Sequence, residues 1–140
     1  MENKDYKVDI ITQKLLFLDK ALENLKVALD EPVRASRAQI DSSIQRFKYT
    51  FELCCKTIHI TFATQEEPLY YPKDILKYAY KTHIIQNDQL WLSMLADKNE
   101  SSHIYNVEVA DRIYVSIKTD YFPELEKTVM YLKNTFSIKE

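Results

Sequence analysis

The chain has no glycine in its 140 residues. Phosphate-cradling loops, dinucleotide fingerprints and nucleophile elbows each need a backbone position that only glycine fills, so all three are excluded. The primed turns of tight β-hairpins lose their favoured residue as well, which tilts the composition towards helices. Cysteine is scarce too. Cys54 and Cys55 are the only two; adjacent and too few for a disulfide framework or a zinc site, they read as buried thiols. His59 and His83 stand apart from other metal-ligand types, so no metal site is expected. The start, Met1-Glu-Asn-Lys-Asp, is polar, and no apolar run approaches the roughly 18 residues that span a bilayer. Neither a signal peptide nor a membrane span is therefore expected, and the expected location is cytoplasmic. Net charge is −2, so the overall field does not favour nonspecific binding to nucleic acid.

What is present is helical periodicity. With 46% hydrophobic residues, the chain is long enough for one compact domain over residues 1–140 with a continuous core. Ile11, Leu15, Leu18, Leu22, Leu25 and Leu29 recur at steps of four and three, the stripe of an amphipathic helix. Asp30-Glu31-Pro32 interrupts it. A second helix carries Ile40, Ile44, Phe47, Phe51, Cys55, Ile58 and Phe62 on one stripe, with Tyr49, Leu53 and Ile60 on the opposite side. Being apolar on two faces, it is expected to be central or half covered by a partner chain. Gln65-Glu66-Glu67-Pro68 is expected to close it. Pro72 with Asp74 opens a short helix to about Tyr80, and Asn87-Asp88 caps the next, which carries Leu90, Trp91, Met94 and Leu95. Asn106 is positioned to cap a long final helix that Pro123 must kink or break. No segment alternates with period two, so the chain is expected to be all-α: an up-and-down four-helix bundle with a short extra helix.

Between the last two helices lies Asp97-Lys98-Asn99-Glu100-Ser101-Ser102-His103-Ile104-Tyr105, the densest run of chemistry in the chain. Lys98 offers a cation for phosphate, Asn99 donates and accepts, and the imidazole of His103 exchanges protons near neutrality. Ser102 and Tyr105 add hydroxyls. The plain alternative is a junction whose Asn99, Ser101 and Ser102 cap helix ends and whose His103 is merely exposed. Ten tyrosines and one tryptophan invite a base-stacking reading, but without a basic groove they are better explained as core and interface.

Lys98-Asn-Glu-Ser-Ser-His103-Ile-Tyr105 resembles the R-N-x-x-x-H-x-Y motif of HEPN domains, with lysine at the arginine position. From about Leu15 onward the chain also resembles the nucleotidyltransferase substrate-binding protein family. The matching pieces are Ser43-Ile-Gln-Arg-Phe-Lys-Tyr-Thr-Phe-Glu-Leu53, Leu90-Trp-Leu-Ser-Met-Leu-Ala-Asp97 and Tyr121-Phe-Pro-Glu-Leu125. The resemblance implies an HEPN-like four-helix bundle that forms a homodimer and pairs with a minimal nucleotidyltransferase encoded nearby. It implies a non-catalytic subunit that binds the substrate, a nucleotide or small-molecule acceptor, at Lys98, Asn99, Ser102, His103 and Tyr105, with Arg46 and Glu52 of the second helix beside them. No cofactor is expected in this chain; Mg2+ and the nucleoside triphosphate are expected on the partner.

The sequence agrees with that division of labour. A catalytic nucleotidyltransferase needs a phosphate loop and paired metal-binding carboxylates, and this chain has neither glycine nor Asp-x-Asp. The resemblance to HEPN domains implies an alternative, a metal-independent ribonuclease toxin of a toxin–antitoxin pair that would cleave RNA with His103 and be silenced by complexation or by nucleotidylation of Tyr105. Lysine at position 98 keeps the charge but gives up the planar bidentate fork of arginine, which favours binding over cutting. A local reading of the second helix pairs Glu52 with Lys56, one turn on, and leaves Arg46 in solvent.

Overall fold

The computed structural model describes residues 2–62, 71–103 and 106–136, and the side chains among them other than those of residues 2–8, 62 and 103. The described residues form α1 (Glu2–Asp30), α2 (Ala38–Phe62), α3 (Pro72–Lys81), α4 (Asp88–Glu100), a 3₁₀ turn (Ser101–His103), α5 (Val107–Ser116), a π-helical turn (Ile117–Tyr121) and α6 (Phe122–Thr135). No strand occurs among them. The expected closure of α2 at Gln65-Glu66-Glu67-Pro68 lies outside the described residues. None of the described helices is long and apolar enough to cross a membrane.

Cross-helix bonds fix the directions. Gln39 Nε2 donates to the Ala28 carbonyl at 2.8 Å and Thr50 Oγ1 to that of Ala21 at 3.3 Å, so α1 and α2 run antiparallel. Asp97 of α4 meets Arg112 of α5, and Trp91 Nε1 of α4 donates to Glu124 Oε2 of α6 at 3.1 Å, so α4 opposes α5–α6. Lys133 Nζ reaches Asp19 Oδ2 at 3.3 Å and closes α6 onto α1. The result is an up-down-up-down bundle of α1, α2, α4 and the joined α5–α6, with α3 as the short extra helix. This is the expected architecture.

All six stripe residues of α1, Ile11 to Leu29, are buried. The two-faced α2 is central: it touches α1, α3, α4, α5 and α6, and Leu53 is buried, whereas Tyr49 remains 59% exposed. Phe47 stacks on Tyr121 at 5.4 Å, and Phe51 lies 6.1 Å from both Phe47 and Trp91. These rings join α2, α4 and the π turn, each burial contributing about 1.5–3 kcal/mol. Asn87 Oδ1 accepts from the Leu90 amide at 3.1 Å and Asn106 Oδ1 from that of Glu108 at 2.7 Å, so both predicted caps form.

Helix ends show how the chain manages without glycine. α3 closes with a Schellman motif in which the Ile84 amide bonds the Ala79 carbonyl at 2.8 Å and the His83 amide that of Tyr80 at 3.1 Å. The left-handed position falls to His83, φ 66°. At the end of α4 the backbone tightens into the 3₁₀ turn, and Ser101 Oγ donates to the Lys98 carbonyl at 2.7 Å. The interruption expected at Pro123 falls just before it. The widened turn Ile117–Tyr121 precedes it, and Pro123 occupies the first turn of α6, where its missing N–H does no harm.

Candidate functional site

The polar junction is assembled from two antiparallel helices. On α2, Lys48 and Glu52 are one turn apart; facing them, Lys98 at the end of α4 and Ser102 in the 3₁₀ turn are also one turn apart. Lys98 Nζ pairs with Glu52 Oε1 at 3.4 Å, and Lys48 Nζ donates to Ser102 Oγ at 3.0 Å. Lys98 Nζ also donates to Asn99 Oδ1 at 3.3 Å. Glu52 therefore reaches across to Lys98 rather than along its own helix to Lys56, because the packed neighbour offers a better-placed ammonium than the solvent face of α2. Beneath the pair lies Cys55. Burial pushes its thiol up to about 12; Lys98 pulls the value down and Glu52 raises it, so both charges act on the same buried sulfur.

Arg46 faces the other way. Its Nε donates to Ser42 Oγ at 3.3 Å, and it lines a groove of about 190 Å³ between α1 and α2 with Ala21, Asn24, Gln45 and Tyr49. Lys98, Asn99, Glu52 and Ser102 are thus brought together, and Arg46 is not among them. The side chain of His103 and the whole of Tyr105 lie outside the described residues.

Just inside the junction sits a buried carboxylate. Asp97, with a side chain 8% exposed, accepts from Arg112 Nη2 at 3.0 Å, from Arg112 Nη1 at 3.3 Å and from the Tyr121 hydroxyl at 2.5 Å. Glu100 adds a second carboxylate 3.5 Å from Arg112. Burial, then the bond to Asp97, raises the Tyr121 phenol well above its ordinary value, so Tyr121 is held as a proton donor. The network ties the last turn of α4 to α5 and the π turn. It therefore fixes the backbone from which Lys98 projects.

The sequence pattern of the family described as "Nucleotidyltransferase substrate binding protein like" matches residues 13–134. The chain belongs to this family. Among solved structures it is similar to a protein from Thermus thermophilus, with 28% identity and a TM-score of 0.73 over 83% of this chain and 98% of that one. It is also similar to a Haemophilus influenzae protein described as having the fold of a substrate-binding domain of a nucleotidyltransferase. There the identity is 22% and the TM-score 0.62, over 90% of this chain and 98% of the other. That second likeness establishes the shared helical-bundle fold. No curated protein matches the chain in a sequence comparison.

Within this family member, Lys48, Asp97, Arg112 and Tyr121 are site neighbours to which sequence reasoning gave no role in the site, although Lys48, Asp97 and Tyr121 lie in the matching pieces. A signal for Asp97 existed: Trp91, Met94 and Asp97 share the buried stripe of α4, and an acidic residue in core register demands partners. Lys48 had no local signal, since its partner is 54 positions away.

Proposed function

We propose that this chain is the non-catalytic, substrate-binding subunit of a two-component nucleotidyltransferase. It holds a nucleotide or phosphate-bearing acceptor at the junction of α2 and the end of α4. The observation that carries the reading is the family match over residues 13–134. Two physical features support it. The cluster of Lys98, Asn99, Ser102 and Glu52 offers a cation, an amide and a hydroxyl to an anionic ligand on a rigid helical wall. The chain also carries neither glycine nor Asp-x-Asp, so nucleotidyl transfer needs a separate catalytic chain that binds Mg2+ and the nucleoside triphosphate.

His103 and Tyr105 complete the ligand contacts in this reading. The exposed Phe17 and Tyr49 supply apolar surface for a second copy or for the catalytic chain. Co-expression with the minimal nucleotidyltransferase encoded beside it is expected to yield a stable complex whose transfer activity falls when Lys98 is changed to Gln. A chain that forms no such complex overturns the proposal. So does metal-independent RNA cleavage that disappears in His103→Ala.

A further inference from the structure

We propose that Lys48 and Lys98 together form the phosphate-binding pair of the site, and that Glu52 is a resident counter-ion which the phosphate displaces. The inference rests on the substrate-binding reading above and assigns its ligand a dianionic phosphate group. The two rungs between α2 and α4 differ in charge. Lys98 is neutralised by Glu52 at 3.4 Å, whereas Lys48 is met by the neutral hydroxyl of Ser102 at 3.0 Å. Among the described residues no carboxylate lies within ion-pair distance of Lys48. The four side chains thus carry two positive charges and one negative, an excess that favours an anion.

The side chains also differ in freedom. That of Lys98 is 18% exposed and that of Glu52 46%, so the ammonium is fixed in the wall and the carboxylate is free to swing into water. Solvent on the Glu52 side screens the pair, so releasing Glu52 costs less than breaking a fully buried one. A phosphate dianion gains two ammonium groups in return. Lysine suits such an exchange: a compact charge with three rotatable donors moves from carboxylate to phosphate without the fixed fork of arginine. The Ser102 hydroxyl, which accepts from Lys48, has its own proton to donate to a phosphate oxygen. The register does the rest. Lys48 and Lys98 project from facing helices one turn out of step, and both helices are held by the buried core beneath them.

Inorganic pyrophosphate is the probe, titrated into the 15N-labelled full chain with amide shifts and calorimetry as readouts. Lys48→Gln and Lys98→Gln are each expected to weaken binding about tenfold, the loss of one charged hydrogen bond. Lys48→Arg should largely retain it. Glu52→Gln is expected to tighten binding about threefold, and to have no effect once Lys98 is Gln. Circular dichroism of each variant separates lost binding from lost folding. Unchanged affinity in Lys48→Gln, or weaker binding in Glu52→Gln, overturns the assignment. No pyrophosphate binding by either the wild type or Glu52→Gln also overturns it. Failure of the subunit reading looks different: pyrophosphate binds as expected, but no complex forms with the catalytic chain.

Discussion

Removing the hydroxyl of Tyr121 tests whether the buried carboxylate network holds the bundle together beside the site. Asp97 accepts three hydrogen bonds, and the shortest, 2.5 Å, comes from the phenol of Tyr121, which is itself 4% exposed. Tyr121→Phe keeps the ring, and with it the 5.4 Å stacking on Phe47, while deleting one bond to a charged acceptor. Such bonds contribute about 1.5–3 kcal/mol, so a loss of about 2 kcal/mol is expected. Asp97→Ala is expected to cost about 3 kcal/mol. It strands the buried phenol, whereas the guanidinium of Arg112, with a side chain 53% exposed, can turn to water. The two changes share one bond, so the double variant should be less destabilised than their sum by about 2 kcal/mol. Urea unfolding followed by circular dichroism gives the free energies. For a domain of this size each kcal/mol lowers Tm by about 3–4 °C, so Tyr121→Phe should melt about 7 °C lower. A Tyr121→Phe variant within about 0.5 kcal/mol of wild type, or strict additivity of the pair, would refute the reasoning.

His83 occupies a left-handed position, φ 66°. His83→Gly is expected to add about 0.5–1 kcal/mol of stability, read as a higher urea midpoint, and His83→Val to lower the midpoint; the reverse order would remove the strain argument. Arg37 is also left-handed, φ 61°, but its guanidinium bonds Asp111, so Arg37→Gly should show no comparable gain in the same assay. Alkaline pH should destabilise the fold. Burial raises Cys54 well above the ordinary 9.0 and Cys55 to about 12. The unfolded chain gives up these protons from about pH 9 and the folded chain keeps them, so stability is intact below that pH. It then declines by up to about 1.4 kcal/mol per pH unit per thiol as pH rises. Urea midpoints should be flat from about pH 7 to 8 and fall above 9, with a shallower fall in the Cys54→Ala/Cys55→Ala variant; equal slopes would count against the thiols.

Much of the bundle was legible because its signals are local. The α1 stripe, the caps at Asn87 and Asn106 and the proline at the head of α3 each depend on residues within a turn or two, which the sequence displays directly. The π turn was not legible. Proline announced an interruption, but whether the helix kinks or widens depends on what Tyr121 must reach, and that is an aspartate 24 residues earlier. The site was half legible for the same reason. Lys98, Asn99 and Ser102 are neighbours in sequence, whereas the choice of Glu52 for Lys98 over Lys56 follows from the register of α2 against α4. Wheel analysis of α2 places Glu52 off its main core stripe without saying which helix it faces.

The end of α4 links these observations physically. There the backbone tightens into a 3₁₀ turn, unlike the left-handed cap that closes α3, and Ser101 covers the Lys98 carbonyl. That tightening keeps Ser102 one turn beyond Lys98 on the side facing α2, which is why Lys48 finds a hydroxyl there. Asp97 acts on the opposite side. Consecutive residues of a helix point about 100° apart, so Asp97 can be locked to Arg112 and Tyr121 while Lys98 faces Glu52. Rigidity and responsiveness are thereby divided between adjacent residues. The buried network fixes the end of α4, and the exposed carboxylate of Glu52 is left as the group that is easily displaced.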